Sequence, residues 1–205
     1  MSEKVRRNPT GAAVLRPQVT SAISAAVLDE LAEQGYGRLS MEAVAKRAGT
    51  GKSSLYRRWP SKQEMVIAAL AEFSVPMGEV PDTGSFAGDL RATLEAVHAW
   101  LAHPRFSPIL PDLSAEAGRN PALAQAIHTA VGEPRRELGA ATLLRAIERG
   151  ELPTDTDLEL ALDLIAAPLY WRMNVRRVDL GPGYLDGLVA HLLRALEARP
   201  APERP

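Results

Sequence analysis

Lys52, Ser53, Tyr56 and Arg57 fall within a six-residue stretch that follows Gly49-Thr50-Gly51. On a helix, positions i, i+1, i+4 and i+5 share one side. That side would be small and basic at its N-terminal end, with an aromatic hydroxyl one turn further on. It is a narrow polar edge of the kind that enters the major groove of a duplex and donates hydrogen bonds to base edges and phosphates. Three further residues are placed to clamp the flanking backbone. Ser40 and Lys62 fall at helix N-termini, where free N–H groups already attract an anion, and Arg58 can reach the backbone from the far side of the same short helix.

Other chemistries lack their residues. There is no cysteine, which removes disulfides, thiolates and cysteine-zinc sites. Gly49-Thr50-Gly51-Lys52-Ser53 mimics the end of a phosphate-binding loop, but Lys46 stands where the earlier glycine is required and no strand precedes it. The four histidines, His98, His103, His128 and His191, include no metal-type pair. His98 and His103 would diverge by about 140° around a helix. No Gly-x-Ser-x-Gly elbow is present. Asp155, Asp157, Glu159 and Asp163 cluster where acids complement a helix dipole. No catalytic residue, metal or cofactor is expected.

A groove-reading edge needs a scaffold. Val19, Ile23, Val27 and Leu31 recur every four residues as one helical face, ending near Gly35. Ser40 caps a second helix over about Met41 to Ala48. Gly49-Thr50-Gly51 breaks the chain, and a third helix follows from about Lys52 to Trp59, stopped by Pro60. Two short helices joined by a glycine-containing turn and backed by a longer one make a helix-turn-helix. Leu39, Val44, Ala45, Ala48, Leu55 and Trp59 are its expected core. Ser61 and Glu64 form a capping box opening a fourth helix to about Phe73. Pro76, Gly78, Pro81 and Gly84 mark a domain boundary.

The rest also reads as helix: about Phe86 to His103, Asp112 to Gly118, Asn120 to Gly150 with a bend at Gly132 and Pro134, Thr156 to Arg177 behind a Thr156–Glu159 capping box, and Tyr184 to Ala198. The expected architecture is all-α, divided into a flexible basic arm (1–16), a three-helix DNA-binding domain (17–73), a larger helical domain (82–198) and a disordered tail (199–205). Formal charge is +4 over residues 1–72 and −5 over the remainder, so the head is the part suited to a polyanion. The arm's Lys4, Arg6, Arg7 and Arg16 could add nonspecific attraction. No apolar run is long enough to cross a bilayer, and no signal-peptide core follows the basic start. A cytoplasmic protein is expected.

The stretch from Gly35 to Lys62 resembles the signature of the TetR family of transcriptional regulators. It has the Gly-aromatic turn (Gly35-Tyr36-Gly37), a capped short helix ending in Ala48-Gly49, a recognition helix with Leu55-Tyr56 and terminal Trp59, and Lys62 at the start of the next helix. The resemblance covers Val19 to Leu70. It implies that Thr50, Lys52, Ser53 and Tyr56 read bases or face the groove, and that Ser40, Arg57, Arg58 and Lys62 contact phosphates. A looser resemblance to one TetR C-terminal subgroup rests on Pro134-Arg135-Arg136, Arg149-Gly150-Glu151-Leu152-Pro153 and Ala167-Pro168-Leu169-Tyr170-Trp171-Arg172. It implies a helical dimerisation and ligand-sensing body.

The helix from Leu158 to Met173 is apolar on most sides and must be buried on most sides. Together with the last helix it is expected to form a four-helix dimer interface through Leu164, Pro168, Trp171, Leu185, Leu188, Leu192 and Leu196. His98, Trp100, His103, Phe106, Leu110 and Trp171 are the candidate lining of a small-molecule site between helices. The function expected is a repressor that binds near-palindromic operator DNA as a homodimer and is released by a small-molecule effector. An effector-independent DNA-binding protein or activator is the alternative, and a small helical enzyme lacks an active-site constellation.

Overall fold

A computed structural model describes residues 17–79 and 82–199. Ten α-helices follow in order: α1 (Pro17–Arg38), α2 (Met41–Arg47), α3 (Lys52–Tyr56), α4 (Lys62–Ser74), α5 (Phe86–Ala102), α6 (Phe106–Ala117), α7 (Pro121–Ile127), α8 (Glu133–Glu148), α9 (Leu158–Tyr170) and α10 (Tyr184–Ala195). No strand occurs among the described residues. The basic arm and most of the expected tail lie outside them.

Local chemistry sets the ends. Ser40 stands in extended conformation before α2 and accepts from the Ala43 N–H at 3.1 Å. Ser61 does the same for the Glu64 N–H at 3.2 Å, and its hydroxyl also meets the Glu64 carboxylate at 3.1 Å. That carboxylate therefore bonds the capping side chain rather than the capping residue's backbone. The α9 cap is Asp157, which accepts from the Leu160 N–H at 3.0 Å, and not Thr156, whose hydroxyl donates to the Pro153 carbonyl. A carboxylate one residue later offers the stronger, charge-assisted cap.

Several elements differ in extent from expectation: α9 runs from Leu158 to Tyr170 and α10 stops at Ala195. α3 ends at Tyr56 and a turn carries the chain to Trp59. α6 begins at Phe106, six residues before the expected start, and contains both Pro108 and Pro111. Pro108 sits in the first turn, where no N–H is needed. Pro111 and Ser107, whose carbonyl it leaves unpaired, are both exposed, so water can serve that group.

Proline stands near two wide turns. Pro134 cannot bond back to Ala130, and the chain between α7 and α8 opens into a π turn over His128–Gly132. A second π turn, over Trp171–Val175, follows Pro168 and is closed by Arg176 N–H to the Trp171 carbonyl at 2.9 Å. The first turn absorbs a missing helical bond and leads on into α8, whereas the second ends the α9 segment.

There are two cores. The first joins Ile23, Val27 and Leu31 of α1, Val44 and Leu55 of the helix-turn-helix, and Met65 and Leu70 of α4 with Phe106, Ile109 and Leu113 of α6, Leu123 of α7 and Val131. The second joins α5, α8, α9 and α10 around Phe86, Leu90, Leu94, Leu143, Ile165 and Leu169. The head therefore does not own its core, because α6 and α7 complete it. Three short helices on one long one leave an apolar underside that needs covering.

Candidate nucleic-acid interface and internal cavity

The interface is built on α3. Its one buried residue, Leu55, is fully enclosed in the first core, and this anchors the helix, which packs against α2. With Leu55 inward, Lys52, Ser53, Tyr56 and Arg57 are all exposed, and Tyr56 keeps 47% of its surface free. Thr50 is half-buried at the turn and Ser40 is exposed at the N-terminus of α2. Five of these six side chains are exposed on the helix-turn-helix, and Thr50 is half-buried. The Lys52 ammonium lies 3.8 Å from Glu42, a loose pair between exposed groups that a phosphate can displace.

Arg58 and Lys62, expected at phosphates, have partners inside the head. Arg58 donates to the carbonyl and hydroxyl of Ser54, at 2.9 and 2.6 Å, and to the Thr20 hydroxyl at 3.3 Å, which ties α3 to α1. Lys62 donates to the Tyr36 carbonyl at 3.0 Å and sits 4.4 Å from the centre of that ring. Arg47 bonds both Glu30 and Glu33 and fastens α2 to α1. The helix-turn-helix is thus cross-braced to α1 through Arg47 and Arg58.

The head is bolted to the body at the end of α1. Gly35 leaves helical space with φ 74° and ψ 167°. The Tyr36 N–H then donates to Asp112 of α6 at 2.7 Å, and a second link joins Arg105 to Asp29 at 2.9 Å. The sequence around Asp112 carries no signal of this role, since an acid on the exposed side of a helix gives no sign of a distant partner.

On its other side α6 forms the wall of a cavity of about 360 Å³. Trp100, Phe106 and Leu110, expected in such a site, line it, and so do Leu113 and Ile127. His98, His103 and Trp171 do not. His103 instead stacks edge-on against Phe73 at 4.7 Å, outside the cavity lining. Trp171 is 58% exposed on the outer side of the π turn. The unexpected polar lining residues are Arg135, His128, Ser114 and Ser74. The π turn carries His128 into the wall and sets Arg135 one turn beyond.

The outer surface of α9 carries Leu160, Leu164 and Trp171 in a stripe, with Tyr170, Val175 and Val178 also exposed. Leu192 and Leu196, expected at an interface between copies, are instead buried in the second core of their own chain. The reason is rotational: with Leu192 inward, α10 turns Gly187, Ala190, His191 and Arg194 outward. Leu185, Leu188 and Pro168 are half-buried.

Residues 23–69 match the family described as bacterial regulatory proteins of the tetR family, and residues 80–192 match the tetracyclin repressor-like C-terminal domain. The chain is a TetR-family transcriptional regulator. It is 34% identical over 175 residues to the DNA-binding transcriptional repressor TetR of Mycobacteroides abscessus, covering 85% of this chain and 89% of that one. It is 26% identical over 182 residues to the HTH-type transcriptional regulator YdeS of Bacillus subtilis, covering 89% of this chain and 91% of that protein. Its fold matches the crystal structure of the TetR family regulator SCO0332 with a TM-score of 0.71 and 28% identity, over 86% of this chain and 97% of that one.

In this TetR-family chain the three C-terminal motifs have distinct structural duties. Arg149 bonds Asp89 at 2.8 Å and Glu151 at 2.5 Å, and the Glu151 carboxylate accepts from the Phe86 N–H at 2.9 Å, pinning the start of α5. Burial would raise the Asp89 carboxyl, but hydrogen bonds from Thr83 and Arg149 outweigh it and hold the group below its ordinary 3.8. Arg172 lies 4.3 Å over the Tyr184 ring and docks α10. Arg136 pairs with Glu159 and Asp163 on α9, whereas Arg135 turns to the cavity.

Proposed function

We propose that this regulator is an effector-responsive repressor that grips a near-palindromic operator in the cytoplasm as a homodimer. The position of α6 carries the proposal. Leu110, Leu113 and Ser114 of this helix line the cavity, and Asp112 and Arg105 at the same helix hold α1. α1 in turn braces α2 and α3 through Arg47 and Arg58. A molecule that fits the cavity better with α6 displaced would move the end of α1 and re-aim the exposed edge of α3. It acts only by its differential affinity for the two arrangements.

The stripe of Leu160, Leu164 and Trp171 supports pairing with a second copy. Apolar groups at this spacing on one side of a helix are costly to leave in water. Two heads are also what a symmetric operator requires, with half-sites about 10 base pairs apart or a multiple of that.

The test is selection of bound fragments from random DNA by the full chain. Two-fold symmetric fragments with a fixed half-site spacing are expected, and affinity for them should collapse in Tyr56→Ala. Recovery of fragments with neither symmetry nor sequence preference would refute the operator-binding dimer.

A further inference from the structure

The cavity under α6 is apolar over most of its wall, with Leu70, Phe106, Leu113, Ile127 and Val131 facing it. Its polar lining residues are Ser74, Ser114, His128 and Arg135, and of these Arg135 carries a fixed charge. Its guanidinium donates to the Ser74 carbonyl and lies 4.0 Å over the Trp100 ring. No carboxylate approaches it among the described residues, although Arg136 beside it has two. Burial lowers its pKa to about 10, so it remains a cation at neutral pH.

A guanidinium has five donors, and this one spends them on a single backbone oxygen and the face of an indole. A partly desolvated charge without a counter-ion is a standing cost, and an anion delivered to it is bound by charge-assisted, bidentate hydrogen bonds. Two more polar atoms in the same wall, Trp100 Nε1 and Ser74 Oγ, are buried without a hydrogen-bond partner. Both belong to the residues that hold Arg135. A ligand ending in an acceptor can satisfy the Arg135 guanidinium, and a pure hydrocarbon cannot.

We propose that the cavity takes an apolar monocarboxylate, with its carboxylate on Arg135 and its body between the Trp100–Phe106 pair and the aliphatic side of α6 and α7. Those two rings lie 4.5 Å apart and tilted, a surface on which a further ring packs well. The proposal rests on the cavity being the effector site.

The experiment uses a matched pair of probes, 4-phenylbutyrate and 4-phenylbutan-1-ol, in calorimetric titrations of the full chain. The acid is expected to bind at least ten-fold tighter than the alcohol. Arg135→Met should abolish that preference by weakening the acid at least ten-fold while the alcohol is unchanged, which also shows that the variant is folded. Trp100→Phe, which keeps a ring and removes the donor, should reduce the preference less. Equal binding of the two probes by the unaltered chain, no binding of either, or an acid preference that survives Arg135→Met would each overturn the proposal. Adding the probes to a complex with selected DNA separates this from the repressor reading. Release by the alcohol alone would overturn the carboxylate and leave the effector site standing. Acid binding through Arg135 without any change in DNA affinity would leave the carboxylate site standing and remove its effector role.

Discussion

The Asp112 carboxylate of α6 accepts the Tyr36 N–H at 2.7 Å, and the contact is possible because Gly35 has no side chain. A Cβ at Gly35 would stand 2.8 Å from Asp112 Oδ1, and its φ of +74° disfavours any L side chain. The joint between head and body thus depends on the backbone conformation at Gly35 and on a carboxylate 76 residues beyond Tyr36.

Breaking this joint should show in stability first. Asp112→Ala is expected to cost about 1–2 kcal/mol, the range for a hydrogen bond to a charged acceptor that keeps some solvent contact. Gly35→Ala should cost at least as much, because strain and collision add. Urea denaturation monitored by tryptophan fluorescence measures both. An unchanged midpoint in both variants would show that the joint does not contribute.

At the DNA edge, charge and shape should separate. Lys52→Ala is expected to weaken binding to all sequences and to flatten the salt dependence by about one counter-ion. Ser53→Ala and Tyr56→Ala should relax sequence preference instead. Fluorescence-anisotropy titrations over a range of salt concentrations, with selected and scrambled DNA, distinguish the two outcomes.

Lys62 has a different prediction from its exposed neighbours. Its ammonium serves the Tyr36 carbonyl and ring, so Lys62→Met should lower the midpoint of unfolding by about 1 kcal/mol equivalent. A variant that lost DNA affinity without losing stability would assign Lys62 to a phosphate instead.

Acid should loosen the body through Asp89. Its folded pKa lies below 3.8, so in acid the unfolded chain binds the proton more readily than the folded one. The stabilisation it provides is complete above the unfolded value and is lost as pH falls through the folded one. Asp89→Asn leaves Arg149 and Thr83 with a weaker partner at a fully buried position. It should cost about 3 kcal/mol near neutrality and shrink the difference between pH 6 and pH 3. Chemical denaturation at the two pH values reads both effects.

The α9 stripe predicts the oligomeric state. Leu164→Glu is expected to yield a folded monomer, since Leu164 is 36% exposed and outside both cores. Leu192→Ala should instead destabilise each chain by about 2–4 kcal/mol, because its side chain is enclosed in the protomer. Sedimentation velocity and thermal unfolding together check the contrast.

The sequence by itself determined the helical architecture, the helix-turn-helix and the polar edge of α3. These depend on short-range rules: Ser40 and Ser61 cap because their oxygens reach their own backbone N–H groups, and Leu55 points inward because Lys52, Ser53 and Tyr56 on the other side are polar. Tertiary structure decided the rest. Only packing across the chain shows that Leu192 faces inward, that Pro111 lies within a helix, that Arg58 and Lys62 bond inside the head, and that Asp112 meets Tyr36. Arg135 and Arg136 make the point most sharply. They are adjacent and chemically identical, yet one is paired with two acids on α9 and the other faces a cavity without any. Side-chain direction on a helix turns by about 100° per residue, and what waits in each direction is set by elements distant in sequence.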